Sequence, residues 1–217
     1  SVCGWIGISI LFGASSIISI TDATAIIFTN PIFTMLLAIV LLGEKVKPIK
    51  WIAVIITFWG ALILIRPENN IINHQFIIII LIIGAFVLGL ESVFIKMLTL
   101  KENPIQILLI NNSIGLLISS IPICFIWITP TTLQILAMLG IGLLMLCAQA
   151  CFIQALRRSK AHFAVPYFYS TLIFVAIYDF FIFNITPDDI SFIGASLIII
   201  GGISIYISEI IKKPNTM

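Results

Sequence analysis

Eight apolar stretches follow one another along the chain, at 2–20, 23–43, 48–66, 76–98, 105–128, 132–156, 161–184 and 189–211. A helix needs about 20 such residues to cross the hydrocarbon of a bilayer. The breaks carry charges, prolines and turn formers: Thr21-Asp22, Glu44-Lys45-Val46-Lys47-Pro48, Pro67-Glu68-Asn69-Asn70, Lys101-Glu102-Asn103-Pro104, Thr129-Pro130, Arg157-Arg158-Ser159-Lys160 and Pro187-Asp188-Asp189. This order predicts an all-α polytopic membrane protein with eight transmembrane helices in the chain and no room for a soluble domain. Charged residues make up 9% and hydrophobic ones 61%, whereas soluble domains carry about 25% charge. So few charges cannot cover a water-facing surface. The net charge of +2, spread over small basic groups, excludes nucleic acid as an expected partner.

Threading eight spans sorts the basic residues. Lys45, Lys47, Lys50, Lys96, Lys101, Arg157, Arg158, Lys160, Lys212 and Lys213 fall on one side and only Arg66 on the other. That asymmetry marks the cytoplasmic side. It predicts a multi-pass protein of the cell inner membrane with both ends of the chain cytoplasmic, 212–217 a cytoplasmic tail, and 67–74 and 185–189 outside. Cys147 and Cys151 share a helix face, but no histidine or carboxylate joins them, so the four cysteines read as packing residues. No metal and no cofactor is expected. The chain opens on Ser1, without a basic leader, and an incomplete N-terminus is expected.

An offset of 141 residues pairs Ala23 with Ala164 and Gly60 with Gly201. It matches the helices of 2–66 to those of 132–211, five helices later and therefore in opposite directions. Inverted repeats of this kind build many transporters. The expected organisation is 1–67 as the last three helices of a first repeat and 76–211 as a complete five-helix second repeat. Two further helices, about 60–80 residues, are then expected upstream.

The segment "ATAIIFTNPIFTMLLAIVLLGEKVKPIKWIAVIITFWGALILIRP" resembles the end of the first repeat in EamA-type members of the drug/metabolite transporter superfamily. Small residues, a proline, an apolar stretch closing in Gly-Glu and a glycine-bearing helix carry the likeness. Residues 159–209 resemble the matching end of the second repeat. The second half also has some likeness to the bacterial S-adenosylmethionine uptake branch. The resemblance implies a ten-helix (5+5) inverted-repeat fold around a central cavity, moving small metabolites. The sequence departs from the family pattern at Ile185, which stands opposite Glu44, at Asn184 and at Asp179.

Pro31 removes a backbone donor inside its helix and frees a carbonyl near Ile27 that lipid cannot satisfy. Thr29, Asn30 and Thr34 stand within a turn as expected partners, and Pro166 is a second expected kink. Pro31 reads equally as a flexing cavity helix or as a static packing kink. Glu91, inside an apolar span, is costly in hydrocarbon and needs a cavity or a partner; the alternatives are a substrate or proton site and a bundle hydrogen bond with Ser92 or Lys96. Tyr167, Tyr169 and Ser170 form a polar aromatic strip that lines a pocket or packs the bundle. Asp179 makes a weaker case of the same kind as Glu91. Glu44, beside Lys45, Lys47 and Lys50, reads as a structural or topogenic acid. Asn111, Asn112, Ser113, Gln149 and Gln154 read as interhelical hydrogen-bonding groups. His74 and His162 lie near opposite surfaces and neither makes a good relay.

The leading expectation is a secondary transporter working by alternating access. No phosphate loop is present, so coupling would be to a proton, another ion or a counter-substrate. Expected partners are a small-molecule solute, membrane lipid and a second copy of the chain. A truncated, non-transporting remnant is the alternative. An intramembrane enzyme would need a nucleophile with its base or paired aspartates; Asp22 and Asp179 come nearest, but Asp22 sits at a loop, and no enzyme is expected.

Overall fold

The computed structural model describes residues 2–66, 75–124, 129–183 and 189–210. Of the expected outer loops at 67–74 and 185–189, residues 67–74 and 185–188, with His74 and Ile185, lie outside the described residues, as do Asn184 and the expected tail at 212–217. The described chain is helical: α1 (Val2–Ala14), α2 (Ile20–Ile27), α3 (Asn30–Leu42), α4 (Pro48–Ile65), α5 (Gln75–Thr99), α6 (Pro104–Ile123), α7 (Thr132–Arg158), α8 (Ala161–Ala164), a 3-10 turn (Val165–Tyr169), α9 (Ser170–Phe183) and α10 (Asp189–Ile210). Among the described residues seven spans are long and apolar enough to cross a membrane, Ile20–Leu42 and Ala161–Tyr178 each counting as one; α1 is a shorter apolar helix.

Helix ends follow local chemistry. Asn103 and Thr131 open α6 and α7 with capping boxes completed by Gln106 and Gln134. Pro48 and Pro104 occupy first turns, where a missing N–H costs nothing. Gly43 closes α3 in the left-handed region at φ 63°, where a side chain would be strained. The first apolar stretch is not one helix to residue 20. Ser15 and Ser16 hydroxyls each donate at 2.7 Å, to Phe12 O and Gly13 O, competing with continuation of the helix. The Ser19 hydroxyl then accepts from the Asp22 amide at 3.1 Å and starts α2.

Helices α4 and α10 cross backbone to backbone. A Cβ on Gly60 would stand 2.8 Å from Gly194 O, and one on Gly201 would stand 2.9 Å from Ala53 O. These two contacts interconvert when residues are shifted by the 141-residue offset, since Gly60 pairs with Gly201 and Ala53 with Gly194. Helix α5 packs against α1 through Gly84 and Gly7, and against α3 through Gly89, whose Cβ would meet Phe33 and Thr34. Helices α6 and α7 expose Leu116, Leu117, Leu136 and Leu144, a surface suited to lipid rather than water.

Candidate functional site

Pro31 is the second residue of α3, and the break falls just before it, at Phe28–Thr29. The span is therefore two helices rather than one kinked helix. Thr29 and Thr34 hydroxyls donate locally, to Ile26 O and Asn30 O. The Phe28 carbonyl takes its donor from the far half of the chain: Tyr169 Oη donates to it at 2.8 Å, with the two rings stacked 5.8 Å apart. Tyr169 is fully buried. Pro166 sits in the 3-10 turn that separates α8 from α9, because a proline cannot donate to the carbonyl of His162 and the α-helical ladder stops there. The two broken helices thus meet at Phe28 and Tyr169, at the middle of the bundle.

Glu91 is half-buried on α5, against α1, where a Cβ on Gly4 would overlap its carboxylate. It lines a cavity of about 620 Å³ with Val2, Cys3, Phe94, Glu102 and Asn111, within the size range of small-ligand sites. Lys96, one expected partner for Glu91, is engaged elsewhere. Its ammonium donates to Leu156 O at 2.6 Å and Ser159 O at 2.7 Å, covering carbonyls at the end of α7. Ser92 donates to Leu88 O at 3.3 Å.

Tyr167 and Ser170 line a separate crevice of about 160 Å³ with Thr57, Pro166 and Gly202. Tyr167 Oη donates to Gly202 O at 3.1 Å, and Ser170 Oγ to Tyr167 O at 2.6 Å. Among the described residues Glu91 lines one cavity and Tyr167 and Ser170 another, and Tyr169 is a core residue. Asp179 lies on α9, its side chain outside the described residues. Asn112 donates to Gln149 Oε1 at 2.8 Å, tying α6 to α7. Among the described residues no group of three or more His, Cys, Asp or Glu side chains is arranged to hold a metal ion.

A polar cluster stands at the basic end of the bundle, and sequence reasoning missed it. Glu44 accepts from the amides of Ala161 at 3.0 Å and His162 at 3.2 Å, and pairs with His162 Nδ1 at 2.5 Å. His162 Nε2 lies 2.9 Å from Lys50 Nζ. Burial alone would raise the pKa of Glu44, but the hydrogen bonds from the His162 side chain and from the two amides prevail and hold it below the usual value. No local signal links 44 to 162; Lys45, next to Glu44, and Lys47, three residues on, are the nearer partners that the sequence offers.

Two broken helices and a cavity lined by Glu91, within a bundle of apolar spans, make this a polytopic membrane protein of helical-bundle type. The chain belongs to the EamA-like transporter family, whose model matches residues 1–66 and 75–207. It is similar to the S-adenosylmethionine uptake transporter of Rickettsia prowazekii, 27% identical over 94% of this chain and 70% of the relative. A riboflavin transporter of Rhizobium johnstonii is 26% identical over 96% of this chain and 68% of its own length. The pseudopaline exporter CntI of Pseudomonas aeruginosa is 23% identical over 89% and 68%. A solved crystal structure covers 95% of this chain and 75% of its own with a TM-score of 0.80 at 15% identity, a likeness of fold.

Proposed function

We propose that this chain forms the greater part of a secondary transporter that moves a small organic metabolite across the inner membrane, by alternating access between two inverted repeats. The observation that carries the reading is Glu91, a carboxylate within a membrane-spanning helix that faces a cavity of about 620 Å³. A charge at that depth is retained where it serves a pathway or a ligand. The chemistry favours a cationic or zwitterionic solute with an apolar body, and S-adenosylmethionine, named for one similar protein, is the first candidate. The matched Gly60–Gly194 and Gly201–Ala53 contacts support the repeat, 1–67 against 76–211. The ten-to-one division of basic residues supports an arrangement with both ends of the chain in the cytoplasm.

The test is uptake of labelled S-adenosylmethionine into liposomes holding the full-length protein or its Glu91→Gln variant, at matched reconstitution. Uptake should fall about tenfold, equivalent to about 1.4 kcal/mol, and its pH dependence should change. Unchanged uptake and pH profile in the variant would remove Glu91 from the mechanism.

A further inference from the structure

An open cleft of about 660 Å³ lies between the start of α6 and the end of α7, with Asn103 and Ile105 on one wall and Cys151, Gln154, Arg157 and Arg158 on the other. It sits at the basic end of the bundle, and the Asn112–Gln149 hydrogen bond ties the two helices together deeper in the span. From Cys151 to Arg158, α7 rises about 10 Å. A headgroup layer is about 5–8 Å thick, so the cleft runs from that layer into the edge of the hydrocarbon. The bases at this end differ in what they touch. Lys96 donates to Leu156 O and Ser159 O, and Lys50 lies against His162. Arg157 and Arg158 are exposed and make no ion pair or hydrogen bond with the described residues. No described carboxylate lines the cleft: Glu102, next to Asn103, lines the Glu91 cavity instead.

We propose that this cleft binds one anionic phospholipid, with its phosphate at Arg157 and Arg158 and its acyl chains along the Ile105–Leu109 face of α6. Guanidinium groups match phosphate oxygens with paired donors, and basic pockets between transmembrane helices suit lipid headgroups. The capping box already satisfies the amides of Asn103 and Ile105, so the attraction comes from the arginines and not from the helix end. Gln154 Oε1 is buried without a hydrogen-bond partner. An acceptor left so in a membrane span calls for a donor from outside the described residues, and a headgroup hydroxyl or ammonium in the cleft would supply one. A free phosphate shares the headgroup chemistry but covers no apolar surface. Ile105 and Leu109, one turn apart on α6, are 64% and 62% exposed, and lipid chains cover them where a free anion does not. Arginines at this end also serve the charge asymmetry across the membrane, a role that any basic pair there fills. The cleft adds a requirement of place. The site depends neither on the transport reading nor on the direction of transport.

Native mass spectrometry of delipidated full-length protein, titrated with dioleoylphosphatidylglycerol or dioleoylphosphatidylcholine, tests the site. One phosphatidylglycerol should bind about thirtyfold more tightly than phosphatidylcholine, from two arginines at about 1 kcal/mol each. Arg157→Gln combined with Arg158→Gln should bring that ratio close to one. Lys45→Gln combined with Lys47→Gln removes the same charge from exposed positions in the α3–α4 loop, at the same end but outside the cleft, and should leave the ratio unchanged. Inorganic phosphate added in excess should not displace the lipid; displacement would mean that the arginines hold a free anion, and the lipid assignment fails. Equal binding of the two lipids by the full-length protein, as when an upstream segment fills the cleft, overturns the site. So does a ratio that falls as far with the loop pair as with the arginine pair, because the preference would then follow net charge alone.

Discussion

Adding one methyl group at Gly60 tests the α4–α10 crossing. The new Cβ would stand 2.8 Å from Gly194 O, 2.9 Å from Leu197 Cβ and 3.0 Å from Ile198 N, while ordinary contact begins at 3.4 Å. All three neighbours are backbone or Cβ atoms, so no flexible side chain can yield, and the helices must part by about 0.5 Å. A gap of that size forfeits about a quarter of the dispersion well along the seam, and packing is a main source of helix association in lipid. Overpacking of this kind costs about 1–3 kcal/mol, against which alanine returns up to about 1 kcal/mol of helix propensity. Gly140→Ala on α7 is the control, because nothing lies within 4 Å of its Cβ. The difference between the two variants, read from reversible unfolding in mixed micelles, should be about 1–3 kcal/mol. Gly201→Ala should cost less than Gly60→Ala, since two of its close neighbours are side-chain atoms of Thr57. Equal stability of Gly60→Ala and Gly140→Ala would refute the tight crossing.

Tyr169→Phe keeps the stacked ring but strips the Phe28 carbonyl of its donor; thermal unfolding in detergent should show a loss of about 0.5–1.5 kcal/mol, and an unchanged midpoint would count against the contact. The carboxyl of Glu44 is held below its usual value of 4.5, so its contribution is complete above that value and is lost as pH falls through the lowered one. A stability–pH curve should therefore lose a downward step on the acid side in Glu44→Gln, and an unaltered curve would show that the pairing contributes nothing. Single cysteines at Asn70 and Asp188 should react with an impermeant thiol reagent on intact cells and one at Ser159 should not; the reverse pattern would overturn the orientation.

Much of the architecture was legible because hydrocarbon imposes a length and an apolar composition on every span, and the spans read from 76–98 and 132–156 recur as α5 and α7 within two residues at each end. The end of α1 was not legible, because Ser15 and Ser16 are compatible with a helix and only their turn back onto Phe12 and Gly13 ends it. Pro31 announced a broken ladder, yet the donor that answers it, Tyr169, comes from the other half of the chain. In the sequence Lys96 stands as a candidate partner of Glu91; that α7 ends beside it and offers two carbonyls is a tertiary fact. His162 looked like a surface residue for the same reason: its partners are set by how α8 docks under Glu44 and Lys50.

The Phe28–Tyr169 contact also has a schedule. Its two residues are 141 apart in the chain, and at a synthesis rate of about 5–20 residues per second the carbonyl is made some 7–28 s before its donor. Throughout that interval the Phe28 carbonyl at the α2–α3 break lacks the Tyr169 donor, while Ile26 O is covered locally by the Phe28 amide and by Thr29. Helix α5, which packs on α1 and α3 through its glycines, is made in the meantime and provides a temporary wall. A nascent chain halted before Tyr169 should therefore be the form most exposed to membrane quality control, and its release from that surveillance should coincide with the emergence of α8 and the turn that carries Tyr169.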